Sequence, residues 1–188
     1  MKIASLWRHL LPVPIRLSSE PWITAGAVAF LDEFLARQPD AHALEFGSGG
    51  STIWFSRRVG KLVSFEHDPR WARAVRKALS DIPNVDLRLY KRPYFDHIAE
   101  FTDNSFDLVL VDGRDRVECA RLARRVVRPG GVMMIDDTNR IDGRYSDLPA
   151  LMADWKRLDF EVLEERENKG PKRRNTTVWT RPLAIAPV

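Results

Sequence analysis

The sequence predicts an α/β fold: a doubly wound, mostly parallel seven-stranded sheet with helices on both faces and an antiparallel C-terminal hairpin. Two patterns carry most of this. Short apolar runs alternate with amphipathic, helix-length segments from Ala41 onward, which is the signature of repeated strand–helix–strand units with right-handed crossovers. Within that series Phe106-Asp-Leu-Val-Leu-Val-Asp112 is almost continuously apolar, as a strand covered on both faces must be. A third pattern closes the sheet: the last two β-like segments follow one another with only a polar loop between them, which suits an antiparallel pair.

The elements follow in order. The pattern of residues 3–11 predicts a short amphipathic helix stopped by Pro12 and Pro14, expected to pack on the domain or on a second subunit of a homodimer. From Trp22 to Ala36 the apolar positions Ile23, Val28, Phe30, Leu31, Phe34 and Leu35 mark a helix with one buried face, ended by Pro39. Strand one covers Ala41–Phe46, and a helix covers Ser51–Arg58. Lys61–Phe65 is strand two. Asp68-Pro69 then supplies an N-cap and first-turn pair for a helix through Leu79. Val85–Leu89 alternates as strand three, and a weak helix spans Tyr94–Phe101. After the Phe106 strand come a helix over Val117–Val127, the breaker Pro129-Gly130-Gly131 and a strand over Val132–Ile135. A helix over Leu148–Leu158 leads to the hairpin, strands Phe160–Glu164 and Thr176–Thr180 around the loop Arg166–Asn175.

With 188 residues and 44% of them hydrophobic, the chain suits one core. We divide it into an N-terminal extension, 1–21, and a single domain, 22–188. No run approaches the roughly 20 apolar residues of a membrane span, and the N-terminus lacks a secretory leader pattern. The lone cysteine, Cys119, excludes an internal disulfide and a cysteine-based zinc cluster and is expected to pack as a small apolar residue. These features point to a soluble, cytoplasmic chain. The net charge of +4 is spread over helix faces, with Lys172-Arg173-Arg174 as a tight run in a solvated loop, so nucleic acid is not the expected partner.

Ligands of such sheets lie outside the carboxyl ends of the strands, at the switch point beside strand one. Strand one ends in Glu45-Phe-Gly47-Ser48-Gly49-Gly50-Ser51-Thr52, where bare backbone permits close approach. Glu66 stands 19 residues after Gly47, where a carboxylate accepts both hydroxyls of a ribose. Asp112, Asp136 and Asp137 end the fourth and fifth strands. So many carboxylates on one rim repel one another, which calls for a cation, several ligand hydroxyls, or both.

The series Leu-Glu-Phe-Gly-Ser-Gly-Gly-Ser-Thr, Val-Ser-Phe-Glu-His-Asp, Phe-Asp-Leu-Val-Leu-Val-Asp-Gly and Arg-Pro-Gly-Gly-Val-Met-Met-Ile-Asp-Asp resembles the class I S-adenosylmethionine-dependent methyltransferases. Within them it is similar to the small O-methyltransferase-like branch, over residues 40–181. The resemblance implies a Rossmann-like fold with S-adenosylmethionine as cofactor. It implies that Glu45, near the ammonium group, and Gly47, Ser48, Gly49, Gly50 and Ser51 hold the methionine end. Glu66 takes the ribose hydroxyls, His67 flanks the adenine, and Asp112 completes the cofactor site. At the position where the family often places an acidic or small residue against the adenine, this chain has Tyr90 and Lys91. Metal-dependent members bind a divalent ion at the positions of Asp112, Asp136 and Asp137. That leaves two options here: Mg²⁺ or Ca²⁺ on these three oxygen ligands, or aspartates that work without metal.

Asp112 and Asp136 are the candidate catalytic bases, with His97 as a distant one. Arg114, Arg140 and Arg144 either grip an acidic substrate or are solvated, and Trp22 either covers the cofactor or packs in the core. The expected reaction is methyl transfer to a hydroxyl of a small molecule or sugar. An NAD(P)-dependent oxidoreductase is disfavoured by Thr52 in place of a third glycine and by the lack of a Tyr-x-x-x-Lys pair; a non-catalytic nucleoside-binding or RNA-associated module has only the positive charge behind it.

Overall fold

The computed structural model describes residues 15–140, 144–165 and 170–184. The helix expected over 3–11 lies outside them. Strands β1 (His42–Phe46), β2 (Lys61–Glu66), β3 (Val85–Leu89), β4 (Phe106–Val111), β5 (Val127–Ile135), β6 (Lys156–Glu164) and β7 (Lys172–Thr180) form one sheet in the order β3-β2-β1-β4-β5-β7-β6. The first five run parallel, while β7 is antiparallel to both β5 and β6. This is the seven-stranded, mostly parallel α/β sheet that the sequence predicts.

Strand β4 is buried at every position, and its alternation divides the core. Val109 and Val111 join Leu44, Phe46, Met133 and Trp179 on one face; Leu108 and Leu110 join Ala43, Leu62, Met134 and Val178 on the other. Helix α1 (Ala25–Ala36) covers the second face through Leu31 and Leu35. It starts later than Trp22 because Thr24 is extended and its amide donates to the Thr176 hydroxyl at 3.1 Å. Helix α2 (Gly50–Phe55) follows β1, and α3 (Pro69–Ala78) follows β2, with Asp68 accepting the Arg70 amide as N-cap and Pro69 in the first turn. Residues Tyr94–Glu100 form 3₁₀ turns, α4 (Arg116–Ala123) follows β4, and Cys119 is buried within it.

Long-range pairing overrides local pattern at three places. The helix expected over Leu148–Leu158 is only α5 (Leu148–Leu151), because Lys156–Leu158 find ladder partners in Val178–Thr180 and join β6. Lys172-Arg173-Arg174 is not in a loop: it pairs with Val162–Glu164, and Arg173 forms an ion pair with Glu161. Strand β5 begins at Val127, not Val132, and absorbs Pro129-Gly130-Gly131 as a register shift, with Phe106 beside Val127 and Leu108 beside Val132.

The chain before α1 packs on the glycine region. Leu17 lies against the cluster of Ile53, Val75 and Leu79, and a Cβ on Gly50 would run into the Glu20 carbonyl. Among the described residues no helix is long and apolar enough to cross a membrane.

Candidate functional site

A cleft of about 1380 Å³ opens at the carboxyl ends of β1, β2, β4 and β5, on the side of the switch point between β1 and β4. Its floor is the Gly47–Gly50 loop, which must pass the β4–α4 loop at close range. Gly47 has φ +98°, its amide donates to the Phe65 carbonyl at 2.8 Å, and a Cβ there would lie 2.7 Å from the Gly113 Cα. Only glycine fits that backbone and that gap. Gly49 differs: it lines the cleft, yet a Cβ on it would meet no atom within 4 Å. Packing does not require its bareness, so the free space above it suits a ligand pressed against the main chain.

Glu66 is 3% exposed and holds the loop from the end of β2. One oxygen accepts the Ser48 amide at 2.9 Å and the Ser48 hydroxyl at 2.8 Å; the other accepts the His67 and Asp68 amides, both at 2.7 Å. Four donors thus fix a carboxylate at the cleft wall. His67 lines the cleft beside it, its ring stacked on Tyr94 with centroids 5.5 Å apart.

Glu45 does not line the cleft. It is fully buried beneath the loop and accepts hydrogen bonds from the hydroxyls of Ser51, Thr52 (2.6 Å) and Ser64 (2.6 Å). Thr52 in turn accepts the Gly49 amide at 2.8 Å. Burial pushes the Glu45 carboxyl up to about 7, against the opposing effect of the three hydroxyls. Its contact with the cleft therefore runs through Ser51 and Thr52.

The opposite wall carries Asp112, Asp136 and Asp137. The Asp112 amide donates to the Phe46 carbonyl at 3.0 Å and the Asp136 amide to the Val111 carbonyl at 3.2 Å, so each continues its strand into the rim. Asp112 is pushed up to about 7, chiefly by burial and further by Asp136, Glu45 and Asp137, while Arg116 pulls it down. Burial also raises Asp136, which accepts the Thr176 hydroxyl at 2.6 Å. Asp137 is held by Arg140 at 3.0 Å.

Sequence reasoning missed Arg116. Its guanidinium is 2.9 Å from the Asp112 carboxylate and 3.7 Å from that of Asp137. The cation that the crowded rim demands is therefore supplied by the chain itself. A divalent ion on Asp112, Asp136 and Asp137 does not fit beside this guanidinium, and among the described residues no group of three or more His, Cys, Asp or Glu is placed to hold a metal. Of the two options for these aspartates, Mg²⁺ or Ca²⁺ ligands or carboxylates that work without metal, this arrangement supports the second. The available signal was slight: Arg116 follows Asp112 by four residues, across the turn between β4 and α4.

Other expectations separate in the same way. His97 is outside the cleft, stacked on Tyr90 at 3.5 Å and bonded to Glu100 at 2.9 Å, so it cannot serve as base. Trp22 is 60% exposed and is not a core residue; it meets Trp71 edge to face at the cleft mouth. Arg114, Arg140 and Arg144 line the cleft, joined by Arg92, Lys172 and Arg174.

A family model described as a methyltransferase domain matches residues 44–138. No curated protein matches the chain. Among solved structures, the chain is similar to cofactor-bound Rv0187 from MTB, with 22% identity, a TM-score of 0.65, and 87% of this chain and 85% of that one covered. It is also similar to a SAM-dependent O-methyltransferase from Thermotoga maritima, with 14% identity, TM-score 0.65, and coverage of 89% and 69%. The N-methyltransferase NodS from Bradyrhizobium japonicum, in complex with S-adenosyl-L-homocysteine, matches with 12% identity, TM-score 0.60, and coverage of 82% and 85%. At these identities the shared feature is the fold.

Proposed function

We propose that this chain, which belongs to the methyltransferase-domain family, moves the methyl group of S-adenosylmethionine to a hydroxyl of a small molecule or sugar. When bound, that cofactor supplies a methyl group activated on a sulfonium sulfur. The single observation behind the reading is the pairing across one cleft of a bare Gly49 backbone, backed by the Ser48–Glu66 latch, with the half-buried carboxylate of Asp112.

Each residue then has a task. Gly47, Ser48, Gly49, Gly50 and Ser51 present main chain and hydroxyl to the amino-acid end. Glu45 lies below and keeps Ser51 and Thr52 in place, so we assign it to positioning the loop. The Glu66 carboxylate, fixed at the cleft wall by four donors, is the group we assign to the ribose hydroxyls, and His67 closes over the base. Methyl transfer is a displacement that needs alignment, exclusion of water and removal of one proton from the acceptor. Asp112, as its carboxylate, would take that proton from the acceptor oxygen while the oxygen–carbon bond forms and the methyl–sulfur bond breaks, with S-adenosylhomocysteine as the leaving group; Asp136 is the second carboxylate in reach of the same rim. A base with its carboxyl raised to about 7 is matched to a neutral working pH.

The test pairs acceptors that differ only in hydroxyl against amine, with labelled cofactor and analysis of the product bond. Transfer to the hydroxyl member is expected, and transfer confined to the amine would overturn the hydroxyl assignment. Binding is checked separately by thermal unfolding, where ligand at 100 times its dissociation constant adds about 2.7 kcal/mol. Stabilisation by S-adenosylhomocysteine and not by NAD is the expected result.

A further inference from the structure

Five oxygens converge on the guanidinium of Arg116. Its Nε donates to the Gly113 carbonyl at 3.1 Å, one Nη donates to the Asp136 carbonyl, and the other donates to the Asp112 carbonyl at 2.8 Å and the Asp112 carboxylate at 2.9 Å. The Asp137 carboxylate stands 3.7 Å away. The side chain is only 8% exposed, and its planar head faces the Tyr145 ring at 5.9 Å. These oxygens come from two segments far apart in sequence: the turn after β4 and the end of β5. Carbonyls and carboxylates gathered in this way are the hard-oxygen donor set of a Mg²⁺ or Ca²⁺ site. Here a side-chain cation fills it. A guanidinium offers five N–H donors in one plane and stays charged at any working pH, so it can satisfy such a set permanently.

The geometry points to Arg116 as a built-in replacement for a divalent metal ion: it ties the β4–α4 turn to the Asp136-Asp137 turn, positions Asp112, and lets the transfer run without metal. Arg116 is a positioning residue in this role, since it acts through Asp112 and the two turns. The inference rests on the methyltransferase reading only for what Asp112 does; the cation exchange itself can be measured without turnover.

The experiment compares wild type, Arg116→Ala and the double variant Arg116→Ala/Asp137→Asn by thermal unfolding and titration calorimetry in EDTA, Mg²⁺ or Ca²⁺. Wild type should melt at one temperature in all three and take up no ion. Arg116→Ala should melt lower in EDTA and regain at least half of the loss in millimolar Mg²⁺ or Ca²⁺, and the double variant should regain none. If Arg116→Ala does not fold in EDTA, folding on addition of Ca²⁺ is the same expected result. Wild-type uptake of either ion that Asp112→Asn abolishes would overturn the inference, as would an Arg116→Ala protein that neither ion stabilises. S-adenosylhomocysteine binding by wild type is measured alongside: its absence counts against the methyltransferase reading, whereas metal uptake with that binding intact counts against the role of Arg116 alone.

Discussion

Ser48 gives Glu66 two hydrogen bonds, one from its amide at 2.9 Å and one from its hydroxyl at 2.8 Å, and so ties the loop after β1 to the end of β2. Both residues belong to the cleft wall. Removing the carboxylate by Glu66→Ala should weaken S-adenosylhomocysteine binding at least tenfold, since hydrogen bonds to a charged group contribute about 1.5–3 kcal/mol each and tenfold is about 1.4 kcal/mol. Calorimetry on the folded variant decides it; an unchanged dissociation constant would remove Glu66 from the ribose assignment.

The two central glycines should fail in opposite ways. Gly47→Ala puts a Cβ at φ +98° and 2.7 Å from Gly113, so it should destabilise the fold by about 1–3 kcal/mol. A Cβ on Gly49 would meet no atom within 4 Å, so for Gly49→Val the melting temperature should stay within a few degrees while ligand binding is lost. Heat unfolding with and without S-adenosylhomocysteine reads both. A Gly49→Val protein that binds normally would show that the free space is not the ligand's.

Glu45 makes stability depend on pH. Its carboxyl is raised to about 7 by burial, so between the ordinary glutamate value and 7 the folded state holds a proton that the unfolded state has released. Stability from this group is full below the unfolded value and is lost as pH rises through 7, by about 3 kcal/mol in all. Glu45→Gln carries no titrating group and should flatten the fall in melting temperature between pH 5 and 7.5. Parallel curves for the two proteins would refute this.

Asp112 makes activity depend on pH in the other sense. As base it works only when deprotonated, so kcat/KM should climb with unit slope up to about pH 7 and then level. Asp112→Asn should lower kcat by about 10²–10⁴ and abolish the climb. A wild-type profile that is flat from pH 6 to 8 would exclude Asp112 as the proton acceptor.

Much of this molecule is written locally. The five parallel strands, the Asp68-Pro69 cap and the Gly47–Gly50 turn each follow from residues within a dozen positions of one another, because period, capping and backbone freedom are short-range properties. The sequence therefore determined the parallel sheet, its switch point and the glycine loop at its carboxyl rim. Only the tertiary structure decided the rest. It carried Lys156–Leu158 out of a helix into β6, since a sheet edge offers hydrogen bonds that no local period records. It sank Glu45 beneath the loop among the three hydroxyls of Ser51, Thr52 and Ser64. It also brought the carbonyl of Asp136 to Arg116 across twenty residues, which set a cation of the chain itself among the rim oxygens. The physical reason is common to all three: burial and charge compensation are settled by which segments meet, and segments meet only in three dimensions.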